Sequence, residues 1–147
     1  MKHYYVHGGF KGTDTRFSYY FPEAKVYKGR FYQHVTPVPD SENLAQGAPR
    51  GEFNKIGFSA ASGAYFVETN GGGALDLTRG STALADPTIT AYRANAAAAQ
   101  FSRHVAKQVY QTEKRPYGYV YGGSGGAFRT IGAMESTSGV WDGGCPM

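Results

Sequence analysis

The sequence predicts an α/β domain whose sheet is mostly parallel but opens on an antiparallel hairpin. Three observations carry that prediction. Two aromatic, β-rich runs stand at the start with a turn cluster between them, a long helical pattern lies between two later β-type runs, and a run of glycines joins the last of these to a second helical pattern. In order, His3 to Val6 is β-rich, Gly8 and Gly9 interrupt it, Lys11-Gly12-Thr13-Asp14 is a turn, and Arg16 to Phe21 is the second strand. Gly29 to Val35 is a third strand, ended by Pro37 and Pro39, which have no N–H for a central ladder. Pro37 to Lys55 is polar and rich in turn-forming residues, and reads as a long surface loop.

Ala64 to Val67, inside Phe58 to Thr69, reads as a buried strand closed by Asn70 and by Gly71 to Gly73. Asp86-Pro87 is a helix start, because Asp caps free N–H groups and Pro suits the first helical position. The helix runs to about Tyr110, with Ile89, Tyr92, Ala96 and Ala99 on one face and Phe101, Val105 and Val109 continuing the packing. Its run of alanines from Ala96 to Ala99 lets a sheet approach closely. Arg115-Pro116 ends that stretch, Tyr117 to Tyr121 is a short strand, and Ala127 to Glu135 is a helix with Phe128, Ile131 and Met134 on a common face. Trp141-Asp142-Gly143-Gly144 reads as a turn that borders a pocket or leads toward a further strand.

Composition bounds the function. A length of 147 residues, 41% apolar and 18% charged, fits a single globular domain over residues 1–147 and excludes a disordered chain. The net charge of +4 comes from fifteen Lys and Arg residues scattered from Lys2 to Arg129 without a run, so no nucleic-acid partner is expected. No apolar stretch is long enough for a membrane span, and Met1 to Phe10 lacks the apolar core of a signal peptide, so no membrane partner is expected and the compartment stays open. The lone Cys145 excludes an internal disulfide and a cysteine-built zinc site, and His3, His7 and His34 with Asp14 or Asp40 lack metal-ligand spacing. No metal or other cofactor is expected.

One motif carries chemistry. Gly122, Ser124 and Gly126 satisfy G-x-S-x-G, in which small neighbours permit a sharp strand-to-helix turn that leaves a serine exposed above the sheet. The pattern is short, and its weight comes from lying between a predicted strand and a predicted helix. A dinucleotide loop on the same residues fails on spacing, because taking Gly123 and Gly125 as its first glycines puts Phe128 where the third Gly or Ala belongs.

With Tyr117-Gly118-Tyr119-Val120-Tyr121-Gly122-Gly123-Ser124-Gly125-Gly126, the chain resembles the α/β-hydrolase superfamily, and its predicted element order resembles that family's opening. The resemblance implies a three-layer α/β sandwich in which Ser124 is the nucleophile, the backbone N–H of Gly125 is an oxyanion donor, and Gly122, Gly123 and Gly126 form the elbow. It implies a second oxyanion donor in the loop after the third strand, with Val35 the candidate, although the usual His-Gly is absent there because Val35 follows His34. His7-Gly8-Gly9-Phe10 looks like the family's HGG motif but falls in the first strand, and reads as hairpin structure.

The family orders its triad serine, acid, histidine, and here no histidine follows Ser124 and the only later acids are Glu135 and Asp142. The chain is therefore expected to be the N-terminal part of an incomplete domain, completed by a missing C-terminal half or a second chain. His104 reads as a helix-surface residue. The expected function is a serine hydrolase that cleaves small-molecule carboxylic esters through an acyl-enzyme on Ser124, with the loops Pro37 to Lys55 and Gly71 to Asp86 shaping the mouth of the site. The twelve Tyr and nine Phe leave room for a tannase-like or feruloyl-esterase-like ester, although aromatics at strand positions more often build core. The alternative is a non-catalytic binding or structural α/β domain whose Gly-rich turn is only a turn.

Overall fold

Six strands form one sheet in the order His3–Gly9, Arg16–Pro22, Ala64–Thr69, Arg30–His34, Tyr117–Gly122 and Gly143–Pro146 in the computed structural model, which describes residues 2–47, 54–73 and 86–147. The expected hairpin is β1 (His3–Gly9) and β2 (Arg16–Pro22), antiparallel and in register from His3 opposite Pro22 to Gly9 opposite Arg16. His7-Gly8-Gly9 therefore is strand, and Gly8 is small because the Phe17 ring lies across it, 2.8 Å from where a Cβ would stand. β2 pairs antiparallel with β4 (Ala64–Thr69), while β3 (Arg30–His34) runs parallel to both β4 and β5 (Tyr117–Gly122). Gly143 and Gly144, expected as the end of a turn, instead open β6 (Gly143–Pro146), parallel to β5. The fold class is the expected one, with a single antiparallel hairpin leading into a parallel sheet.

Helices cover both faces. On one lies α1 (Lys55–Ala61), a seven-residue helix that the sequence reading left inside a loop and a strand approach. The Asn54 side chain caps it by accepting from the Gly57 N–H at 2.7 Å, which is the local signal that a helix starts there. The other face carries α2 (Ala94–Tyr110) and α3 (Gly125–Ser136). Asp86 caps the segment ahead of α2 as expected, accepting from the Thr88 N–H at 3.0 Å. Between them Ile89–Arg93 forms a wider turn, in which the Ala94 N–H reaches back five residues to the Ile89 carbonyl. That extra residue rotates the following helix by one position. As a result Ala94, Ala96, Ala98, Ala99, Ser102 and Ala106 are buried, whereas Phe101 is 39% exposed and Ile89 and Tyr92 only partly covered.

The alanine side of α2 lies close enough to the sheet for tyrosines to bond its backbone. Tyr19 Oη donates to the Ala98 carbonyl at 2.8 Å, and Tyr65 Oη meets Ser102 Oγ at 3.0 Å. A buried polar chain ties strands to helix. Trp141 Nε1 donates to Gln33 Oε1 at 2.9 Å, Gln33 Nε2 donates to the Asn95 carbonyl at 3.1 Å, and Thr69 Oγ1 donates to Asn95 Oδ1 at 2.6 Å. Trp141 thus belongs to the core rather than to a pocket rim.

The α1 face is less fully covered. β3 and β5 alternate, so Phe31, Gln33, Gly118 and Val120 point to α2 while Tyr32, His34, Tyr119 and Tyr121 point the other way. With Phe58 and Met147 these four line an apolar cleft of ≈ 1280 Å³. Next to it Glu68, only 4% exposed, accepts from Tyr20 Oη at 2.9 Å and from the Ala45 N–H at 3.1 Å, which holds the short 3-10 turn Leu44–Gly47 on the sheet. Burial pushes the Glu68 carboxyl up to about 7, against the Ala45 and Tyr20 hydrogen bonds. Burial, aided by Lys55, pulls His34 down to about 4.

These two groups act on stability with opposite sign. Glu68 binds its proton more tightly folded than unfolded, so its contribution is full at low pH and is lost as pH rises from the usual carboxylate range through about 7. His34 disfavours its proton when folded, so its contribution is full above the usual imidazole range and is lost as pH falls through about 4. Their slopes oppose one another over much of the range between. Urea unfolding across this pH range is therefore expected to give a shallow profile for the parent chain. Glu68→Gln, which mimics the protonated acid, should unmask a rise of about 3 kcal/mol between pH 4 and 7, and His34→Gln a fall of similar size. Equal profiles for all three would contradict this account of the face.

Candidate functional site

Chain reversal at the end of β5 is what builds the candidate site. The Gly126 N–H closes a four-residue turn onto the Gly123 carbonyl at 2.8 Å, and Ser124 occupies the turn's second position at φ 56°, ψ −121°. That is the mirror image of the first central position of a type II turn, a conformation that favours glycine. A serine there carries strain of about 1–3 kcal/mol, which the surrounding contacts must hold in place. The side chain is exposed and makes no capping bond to the helix behind it.

The glycines around Ser124 have separate reasons. A Cβ on Gly122 would lie 2.5 Å from the Val35 carbonyl oxygen, one on Gly126 would overlap the same oxygen, and one on Gly125 would lie 2.6 Å from the Pro37 carbonyl oxygen. The elbow is therefore pressed backbone to backbone against the exit of β3. Gly123 is different, since a Cβ there would meet nothing nearer than Met147 O at 3.9 Å. The Ser124 N–H donates to that Met147 carbonyl and the Met147 N–H donates to the Gly122 carbonyl, both at 3.0 Å, so the end of β6 is laced to the elbow.

The N-terminal end of α3 leaves donors without helical acceptors. Gly126 returns to Gly123, and Ala127 and Phe128 return to the Ser124 carbonyl, at 2.9 and 3.2 Å. Gly125, first residue of the helix, has no helical acceptor for its N–H. Val35, the expected second donor, is corrected by the structure: its N–H donates to the Tyr121 carbonyl at 2.8 Å and is consumed by the ladder. Past Val35, the segment of Thr36, Pro37, Val38 and Pro39 has N–H groups only at Thr36 and Val38.

Among the described residues the histidines make their contacts away from Ser124. His7 meets Glu42 at 2.9 Å, His104 stacks on Phe101 at the helix surface as expected, His3 lies against the Tyr20 ring, and His34 lies against Tyr121 on the cleft side of the sheet. Asp142 is held at the far end of β5, where it accepts from the Gly118 N–H at 2.7 Å and from Arg115 at 2.9 Å. Six residue steps of strand and turn lead from Gly118 to Ser124, roughly 20 Å at strand spacing. The apolar cleft lies on the α1 side and does not include Ser124 in its walls. Of the two loops expected at the mouth, residues 48–53 and 74–85 lie outside the described residues.

The helix after the elbow reverses its expected face. Phe128 and Ile131 are exposed, at 76% and 47%, whereas Arg129, Thr130 and Ala133 are buried. Close packing against the β3 exit requires Gly126 on the inner side, and residues 129, 130 and 133 follow it there by helical spacing. Arg129 is thus a buried residue that the periodicity reading missed. The available signal was that it is the sole charged residue between Gly125 and Met134.

The fold and this turn define the class: the chain has an α/β-hydrolase fold. It is similar in structure to the tannin acyl hydrolase from Aspergillus niger, with a TM-score of 0.68 and 16% identity over 95% of this chain and 27% of that one. It is also similar to feruloyl esterase B from Aspergillus oryzae, with a TM-score of 0.65 and 16% identity over 95% of this chain and 26% of that one. The chain thus spans about a quarter of the length of each. No protein-family model and no curated protein sequence matches it.

The three glycine contacts make a graded prediction. Gly126→Ala should destabilise by about 3 kcal/mol or more, because the obstructing atom is backbone and cannot swing aside. Gly123→Ala should stay within about 0.5 kcal/mol of the parent. Urea midpoints of the two variants check the ordering, and equal midpoints would contradict it.

Proposed function

We propose that this chain is the part of a serine hydrolase that carries the nucleophile, and that the enzyme cleaves carboxylic esters of small molecules. The observation that carries the reading is Ser124 itself, an exposed hydroxyl held at positive φ on a strand-to-helix turn. Strain of this kind persists where surrounding contacts fix it, and it clusters at sites where the side chain has work to do.

In this reading Ser124 Oγ attacks the ester carbonyl carbon, and its proton passes to a base supplied from outside these 147 residues. The carbonyl electrons collapse onto oxygen, where the Gly125 N–H and the positive end of α3 stabilise the charge. A second N–H comes from Thr36 or Val38, in place of the expected Val35. The oxyanion then expels the alkoxide, which leaves as the alcohol with the proton held by the base. Water, deprotonated by the same base, releases the acid and returns the proton to Ser124. The base and its acid partner belong to the C-terminal remainder of the enzyme, in the same polypeptide or on a second chain. The names of the two similar structures, a tannin acyl hydrolase and a feruloyl esterase, make phenolic acyl esters the first substrates to try.

Labelling with a fluorophosphonate probe, followed by peptide mapping, tests the reading on the protein expressed from its whole reading frame. Modification is expected at Ser124 and is expected to vanish in Ser124→Ala. A folded protein that hydrolyses no ester and takes no label at Ser124 would support the non-catalytic alternative instead.

A further inference from the structure

We propose that Arg129 is a positioning residue for this ester-cleaving site, clamping the segment after β3 to the helix that begins at the elbow; the inference rests on the hydrolase reading above. Arg129 is 6% exposed, and its acceptors among the described residues, the Thr36 and Thr90 carbonyls and the Thr36 hydroxyl, are neutral. Nη1 donates to the Thr36 carbonyl at 2.8 Å and reaches Thr36 Oγ1 at 3.4 Å, while Nε and Nη2 donate to the Thr90 carbonyl at 2.9 and 2.7 Å. A Cβ on Gly71 would lie 2.8 Å from Nη2, so the exit of β4 packs against the same group. Chain leaving β3, chain leaving β4 and the turn before α2 therefore converge on one guanidinium, four residues beyond Gly125.

A buried cation with no acid partner among the described residues is a costly way to join loops, since the charge must be stripped of its water. What it provides is five donors in a rigid fork that can hold two carbonyls at once. The Thr36 carbonyl belongs to the bond preceding Pro37, which has no N–H, so gripping it fixes the segment without using an oxyanion donor. Thr36 Oγ1 donates to the Val38 carbonyl at 2.5 Å, and the Pro37 carbonyl rests against Gly125. Three successive residues are thereby registered to the helix end. The spacing between the Gly125 N–H and an N–H of Thr36 or Val38 is then set by Arg129, and a displacement of about 1 Å in such a pair can cost 10²-fold in rate.

The test uses the protein from its whole reading frame, p-nitrophenyl acetate as substrate, and rates expressed per Ser124 titrated with fluorophosphonate, so that unfolded protein does not count. Arg129→Met is expected to lower kcat per titrated site by about 10- to 100-fold while KM changes by less than about twofold. Arg129→Lys, which keeps the charge and part of the grip, is expected to recover a portion of that loss. Should Arg129→Met yield no folded protein, Arg129→Lys carries the test with an expected kcat loss of about fivefold per site. A variant rate per site within about twofold of the parent, or a loss confined to KM, would overturn the inference while leaving the hydrolase reading intact. A parent protein without a titratable Ser124 would overturn both.

Discussion

Backbone contact between the elbow and the exit of β3 is the constraint on which the site depends. Gly122 and Gly126 both abut the Val35 carbonyl, and Gly125 abuts the Pro37 carbonyl, so α3 cannot leave β5 along any wider path. With the helix forced to start within one turn of the strand, residue 124 must take positive φ, and its side chain must project outward. The sheet order makes the contact possible, because β3 and β5 are neighbours although β4 lies between them in sequence. Register from Arg30 opposite Tyr117 to His34 opposite Tyr121 then brings Val35 level with Gly122.

The two faces of the sheet are held differently. On the α2 side, small residues bring the helix near enough for strand side chains to bond its backbone, and the chain from Trp141 through Gln33 and Asn95 to Thr69 is fully buried. Polar groups that deep specify one register, because any slip would leave several of them unpaired. On the α1 side, the seven-residue helix covers β4 while Tyr32, Tyr119 and Tyr121 border the apolar cleft. Glu68 and His34 lie on that side, and Ser124 stands apart from them at the end of β5.

Sequence alone showed the hairpin, the parallel order of the later strands and the elbow, because each has a local signal: paired aromatic runs with a turn cluster, a capped helix between strands, and glycines placed between a strand and a helix. What it hid was set by tertiary contact. α1 has only seven residues with Gly57 inside, too few for a periodic pattern, and only Asn54 announced it. The wide turn at Ile89–Arg93 shifted the face of α2, and nothing in the spacing of apolar residues encodes an inserted position. In α3 the obvious apolar stripe of Phe128 and Ile131 faces outward, since the inner face was chosen by how closely Gly126 could approach Val35. Gly143-Gly144 reads as the end of a turn that starts at Trp141, and becomes the start of a strand by pairing with β5. At the candidate site, the exposed strand-to-helix turn at Ser124 was legible, because its glycines lie between a strand and a helix. Val35 was not, because only the ladder reveals that its N–H is already used.

Surrounding backbone, rather than the preference of residue 124, imposes the strained conformation at the elbow. Comparing the unfolding free energies of Ser124→Gly and Ser124→Ala tests it most directly. At an ordinary position the glycine variant would be the less stable by about 0.5–1 kcal/mol, through the entropy of its unfolded chain. Here the order should invert, with Ser124→Gly more stable than Ser124→Ala by about 1 kcal/mol or more. An alanine variant as stable as the glycine variant, or more stable, would mean that the turn carries no strain and that the constraint described above does not hold.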